Sequence, residues 1–263
     1  MKTPIPHPTV RLFLLASLAA GCGGDTAVAW KLCTDFGGST TTNCNGTVVV
    51  VVHDAEEPLV SAFQVTVERL ELVSDGRTYT FFEGARRENL LDFTDGGFLL
   101  GKREDVPEVE FDAVRLDLGD LVVLPASGAG YRIAKSPVEV RIEPPLSVSR
   151  SSASSLRIDI DVRASLAGAG PSGNVIPVVI ASGNEPEARL SVSHGRVARI
   201  DAAPDRFLLE ASPEAGTYRV SIPDGSGLSP GDLLPGSEVI LEGGSVRNAE
   251  LHPMRITIVA PNG

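Results

Sequence analysis

Residues 48–52 are five consecutive valines. β-Branched side chains lose rotamer freedom in a helix and pack well on a pleated surface, so the run predicts a strand. Apolar character at odd and even positions alike predicts that both faces of that strand are buried. Residues 63–73 alternate apolar and polar in their first half, Ser74-Asp75-Gly76 supplies a turn, and residues 77–82 return as a hairpin partner. Residues 109–118 alternate again, with a phase slip at Ala113 that a bulge would absorb, and 121–124, 131–133 and 138–142 follow as short strands. The cleanest alternation is 156–163: Leu156, Ile158, Ile160 and Val162 share one face, and Arg157, Asp159, Asp161 and Arg163 share the other as a water-facing, salt-bridged ladder. A further strand is expected at 175–180. Beyond a polar, turn-rich patch at 181–186 the rhythm resumes at 190–200, 206–210, 217–222, 238–242, 246–251 and 255–259. No stretch holds a 3.6-residue period over a useful length, because Pro and Gly interrupt it too often. The expected fold is mainly β, with a β-sandwich over residues 47–183 and a small β-barrel over 184–263.

The first 46 residues differ in kind. Basic Lys2 and Arg11 precede an apolar stretch at 12–20 and a small-residue end at Gly21-Cys22. That layout predicts a secretory signal over 1–21, since the apolar run falls well short of the roughly 20 residues needed to span a bilayer. Residues 22–46 are rich in Gly, Ser, Thr and Asn and predict a tether. Of the three cysteines, Cys33 and Cys44 lie in this tether. In an exported chain they are a natural disulfide, a short loop closure worth about 3 kcal/mol in the chain-entropy model. A zinc site is the alternative, weakened by the lack of a second cysteine pair.

The formal net charge of −11 argues against nucleic acid and against charge-driven docking on anionic lipid, and aromatic residues at 5 % offer no broad stacking platform. The candidate chemistry is thin. Residues 227–231 match G-x-S-x-G around Ser229, with His252 further on, but Pro and Gly flank the motif where a nucleophile elbow needs a strand and a helix. Residues 168–173 match G-x-G-x-x-G with Pro171 inside and strands on both sides, which predicts a hairpin loop. His7, His53, His194 and His252 are scattered singly, and Trp30 lies in the tether. Asp159 and Asp161, with Asp54, Asp92 and Asp95, are the nearest approach to a calcium set, but no D-x-D-x-D-G loop exists and the salt-bridged ladder accounts for the first two. We expect no catalytic residue, no metal and no cofactor.

Three resemblances add to this. Ala19-Ala20-Gly21-Cys22 resembles the lipobox of bacterial lipoproteins, with Ala19 standing where a larger aliphatic residue is usual. The resemblance implies cleavage before Cys22, lipid on its thiol and a stable membrane anchor, and Gly23 after the cysteine favours the outer membrane. Residues 47–181 resemble the domain-of-unknown-function family 4382, through Val52-His53-Asp54-Ala55, Val65-Thr66-Val67-Glu68-Arg69-Leu70-Glu71-Leu72, Asn89-Leu90-Leu91-Asp92-Phe93, Val114-Arg115-Leu116-Asp117 and Leu156-Arg157-Ile158-Asp159-Ile160-Asp161, with Ile176-Pro177-Val178-Val179 following. That likeness implies a prealbumin-like β-sandwich. Residues 190–259 resemble domain-of-unknown-function family 5666, through Gly195-Arg196-Val197, Phe207-Leu208-Leu209, Tyr218-Arg219-Val220 and Leu234-Pro235-Gly236-Ser237-Glu238-Val239, which implies a small OB-like β-barrel. Neither family implies a reaction. The expectation is a lipid-anchored cell-envelope protein, periplasmic or surface-facing, working as a non-catalytic binding or structural module. A glycan or an envelope protein is its expected partner, a surface adhesin the second reading and a Ser229 hydrolase the third. Segments 83–89, 95–104 and 164–174 are expected to be loops that carry contacts.

Overall fold

The computed structural model describes residues 45–54, 60–93, 96–126, 130–133, 136–150, 152–167, 175–184, 187–201, 205–212 and 216–259. Cys22, Cys33, Cys44, Trp30, Asp95 and the glycine-rich 168–173 lie outside them. The protein is mainly β.

The first lobe contains β1 (Asn45–Asp54), β2 (Val60–Ser74), β3 (Arg77–Asn89), β4 (Gly97–Pro107), β5 (Glu110–Leu118), β6 (Leu121–Pro125), β7 (Tyr131–Ile133), β8 (Ser136–Ser147), β9 (Ala153–Asp161), the helical turn α1 (Val162–Ala167) and β10 (Val178–Gly183). Its strands are hydrogen-bonded in the order β4-β1-β9-β10-β8-β5-β2-β6-β7, with β3 on β2. The link from β10 to β8 is a single residue pair, Ala181 with Ile142. The strands on either side of that link share one core: Val48, Val50, Val52, Leu156, Ile158 and Ile160 from β1 and β9, with Phe63, Val65, Leu70, Val114 and Leu116 from β2 and β5. Between β3 and β4, side chains stitch the lobe: Arg103 Nε donates to the Phe81 carbonyl at 2.9 Å and the Tyr79 hydroxyl to Asp105 Oδ1 at 3.0 Å.

Several local expectations hold. The β2–β3 hairpin turns at Asp75-Gly76, both with positive φ (50° and 72°), as a two-residue turn matched to strand twist requires. The phase slip at Ala113 is a register shift between Phe111 and Ala113 against β8. Others are corrected. Residues 83–89 belong to β3 and 97–104 to β4; neither is a loop, because β2 and β1 supply ladder partners that their mixed polarity does not announce. Segment 164–174 opens inside α1. The strand expected to run through Arg163 stops at Asp161, whose Oδ1 accepts from the Ala164 amide at 2.8 Å and so caps the helical turn. Ser165, fully buried, donates to the Asp161 carbonyl at 2.5 Å and accepts from the Val178 amide at 2.8 Å, which ties the turn to β10.

The second lobe contains β11 (Ala188–Arg189), β12 (Val192–Ile200), β13 (Arg206–Ser212), β14 (Gly216–Ser221), β15 (Glu238–Glu242), β16 (Ser245–Arg247), β17 (Glu250–His252) and β18 (Arg255–Val259). The segment expected as one strand at 246–251 is a hairpin turning at Asn248 and Ala249, both with positive φ. Pairings run β12-β13-β14-β17-β16. β11 then pairs with β16 while β12 pairs with β15, and the junction is bridged by Leu190 N to Gly244 O and Gly243 N to Ser191 O. The strands therefore close in a ring of five, with β11–β12 and β15–β16 each acting as one long bent strand and β18 added on β15. The ring is barrel-like, in keeping with the small β-barrel expected of the C-terminal part.

The valine run joins the two lobes. Its even members point into the first core, and Val49 and Val51 pack with Leu99 of β4 against Leu190, Phe207, Leu209, Tyr218 and Leu241 in a second core. β1 is thus buried on both faces, as its unbroken apolar pattern predicted, and each face is covered by a different lobe. The approach is close enough for backbone contact: Ser191 N donates to Gly97 O at 3.1 Å. A Cβ on Gly96 would lie 2.5 Å from the Leu190 carbonyl carbon, and one on Gly97 2.4 Å from the Val52 oxygen, so only glycine fits at either position.

A polar-rimmed cleft at the seam of the two lobes

Where β3, the Leu90–Phe93 turn and β4 meet β12 and β13, the surface sinks into a cleft of about 330 Å³. Its apolar wall includes Phe93, Phe98 and Leu99, and its polar groups are Arg86, Glu88, Asp92 and His194. Local structure positions each one. The Phe93 and Phe98 rings tilt at 44° with centroids 5.2 Å apart, a favourable aromatic geometry. The Arg86 guanidinium sits 6.0 Å from the Phe98 centroid and is paired with Glu88 at 2.6 Å. Asn89 closes β3 by accepting from the Phe63 amide at 3.0 Å, and its Nδ2 donates to Asp92 Oδ1 at 2.9 Å. Tyr218 of β14, which does not line the cleft, is fully buried, and its hydroxyl finds no hydrogen-bond partner among the described residues; neither does Arg86 Nε. Burial pushes the Tyr218 hydroxyl well above the ordinary tyrosine range, with Arg86 the one charge that pulls it back.

Exposed His194 also borders a wider groove of about 490 Å³ with Arg196, Glu210 and Glu238, so the two cavities adjoin along β12. A third cavity, about 590 Å³, is rimmed by Lys102, Glu104, Arg219 and Glu250. Lys102 lies 5.6 Å from the Tyr218 ring centroid and 2.6 Å from Glu104.

The residues singled out from the sequence are mostly elsewhere. Ser229 sits in a loop and donates to Asp232 Oδ2 through both its amide (2.7 Å) and its hydroxyl (2.8 Å). Those two bonds hold the Asp232 carboxyl below the usual aspartate range. His252 is bonded to Ser221 through Nδ1 at 2.9 Å. His53 is buried on β1, in register with Asp159. Arg157 pairs with Asp159 at 2.8 Å, as the ladder expectation had it. Among the described residues no three His, Cys, Asp or Glu side chains gather as a metal site. The sequence reading missed Arg86 and Phe98 as individuals. The segments expected to carry contacts at 83–89 and 95–104 do border the cleft, as strands.

The fold thus defines a mainly β protein of two lobes sharing one valine strand, with a polar-rimmed cleft at their seam. The family model described as a domain of unknown function, DUF4382, matches residues 45–176, half of the chain, and the chain belongs to this family. The match takes in the first lobe from the start of β1 to the approach of β10. No curated protein and no solved structure matches the chain.

Proposed function

We propose that the mature protein is a lipid-anchored envelope module that acts by non-catalytic binding, with the seam cleft as its contact site. The observation that carries the binding role is the convergence of Arg86, Glu88, Asp92 and His194 on a concave, phenylalanine-walled site, the usual composition of a small-ligand pocket. The anchor is supported by the basic, apolar and small-residue succession ending at Cys22. In this reading Cys22 carries the lipid, Cys33 and Cys44 close a disulfide in the tether, and Gly23 directs the chain to the outer membrane. The likeness of residues 190–259 to family 5666 is supported by the five-strand ring of the second lobe.

Membrane fractionation of cells expressing the full chain or Cys22→Ala tests the anchor. We expect the parent in the membrane fraction with incorporation of an alkynyl palmitate label, and Cys22→Ala soluble and unlabelled. Retention of Cys22→Ala in the membrane refutes the lipoprotein reading. Protease shaving of intact beside lysed cells then separates surface display from a periplasmic location.

A further inference from the structure

We infer that the seam cleft and the groove beside it form one site for a linear aliphatic polyamine, a methylene chain carrying two or more ammonium groups. The inference rests on the binding role proposed above and specifies its ligand class.

The two cavities, about 330 Å³ and 490 Å³, share His194 and Ala211, so they run into one another along β12 and the end of β13. Each has the same charge composition, one guanidinium with two carboxylates. In the cleft these are Arg86, Glu88 and Asp92. Arg86 is paired with Glu88 at 2.6 Å. Asp92 takes the Asn89 hydrogen bond at 2.9 Å and has no ion pair among the described residues. In the groove the sheet register sets the arrangement. Arg196 of β12 lies opposite Glu210 of β13 on one side and opposite Glu238 of β15 on the other. Residues directly opposite one another point to the same face of a sheet, so the three side chains form a row. Arg196 reaches Glu238 at 3.6 Å, and Glu210 is exposed with no ion pair among the described residues. Each cavity therefore keeps one carboxylate without a counter-charge, Asp92 from the first lobe and Glu210 from the second, and His194 borders both.

This net negative charge opposes an anion, gives a neutral ligand no advantage and selects a cation. Its distribution selects the shape. Among the described residues no three His, Cys, Asp or Glu side chains gather for a metal ion, so a compact dication has no seat. Two unpaired carboxylates in adjoining cavities suit two charges joined by a chain. Ammonium groups only donate and carboxylates only accept, so each such contact is a charge-assisted hydrogen bond. Phe93, Phe98 and Leu99 in the cleft, with Val239 and Val259 in the groove, offer apolar surface to the methylene segments between the charges.

The test is calorimetry on the full chain at low ionic strength, where charge contacts are least screened. Spermidine and spermine are the probes, and butylamine, succinate and maltose the controls. We expect both polyamines to bind, spermine the tighter, with butylamine about 10-fold or more weaker because it spans only one cavity, and succinate and maltose silent. Asp92→Asn and Glu210→Gln each remove one charge and keep an acceptor. Each should weaken spermine by about 2- to 5-fold, and the two together by about the product, since they act in different cavities. Asp224→Asn, in an exposed loop outside both cavities, removes the same charge and should leave the affinity unchanged. An equal loss in Asp224→Asn marks diffuse attraction to an acidic protein and overturns the inference. So do absence of polyamine binding, spermine binding indifferent to both cavity variants, and tighter binding of succinate or maltose. Trilysine separates the sources of the ammonium groups: trilysine bound more tightly than spermine overturns the free polyamine in favour of a basic peptide. If succinate or maltose binds instead and a cavity variant alters it, the binding role stands and only the ligand class falls; if spermine binds a chain that stays out of the membrane fraction, only the anchor falls.

Discussion

Val51→Ala probes the feature on which the two-lobe architecture depends. Val51 is fully buried, yet it lies on the β1 face away from the first core, and its cover comes from the second lobe. The substitution deletes two methyl groups. At about 0.8 kcal/mol per buried carbon, plus the cavity left behind, the loss is about 2–3 kcal/mol. For a protein of this size that lowers the melting temperature by about 5–10 °C. Without the second lobe the same side chain would sit on an open sheet face, where substitutions cost about 0.5 kcal/mol or less. Val50→Ala is the internal comparison, since Val50 is equally buried but faces the first core. Urea denaturation followed by circular dichroism gives the total, and hydrogen exchange read by mass spectrometry gives its location. Val51→Ala should lower amide protection in β12–β14 together with β1, whereas Val50→Ala should act first on β2, β5 and β9. A loss under about 0.5 kcal/mol for Val51→Ala, or protection lost in the first lobe alone, would refute the shared-strand account.

Three other changes follow from single observations. Gly97→Ala places a Cβ 2.4 Å from the Val52 oxygen, a backbone atom that cannot swing aside, and should cost about 3 kcal/mol in thermal unfolding; a cost no greater than that of Gly76→Ala, where nothing lies within 4 Å, would show that the seam yields. Ala249 holds φ at 58° in the β16–β17 turn, so Ala249→Gly should stabilise by up to about 1 kcal/mol, less the lost methyl contact, and destabilisation in the same urea assay would argue against a left-handed backbone there. Asp232 should titrate below an ordinary aspartate by carboxyl-carbon NMR and return upward in Ser229→Ala. Because its folded pKa is depressed, its contribution to stability is present above the unfolded value and fades as pH falls through the folded one. An unchanged titration in the variant would contradict the bond.

What the sequence determined by itself was the material of the fold. Alternation placed Leu156, Ile158 and Ile160 on one face, and the valine run announced a strand with two covered sides. Asp75-Gly76 announced its hairpin, and the slip at Ala113 its bulge. These are legible because strand periodicity and turn chemistry act between residues a few positions apart. The tertiary structure alone decided what covers Val49 and Val51. It also decided that Gly96 and Gly97 are where a distant backbone docks, and that Glu83 to Asn89 are ladder residues of β3. The cleft belongs to the same class: Arg86 and Asp92 come from the first lobe and His194 from the second, and each looks locally like an ordinary strand or turn residue. Their meeting depends on two sheets docking through one strand, and long-range packing of that kind leaves no periodicity in either partner for a reader of the sequence to find.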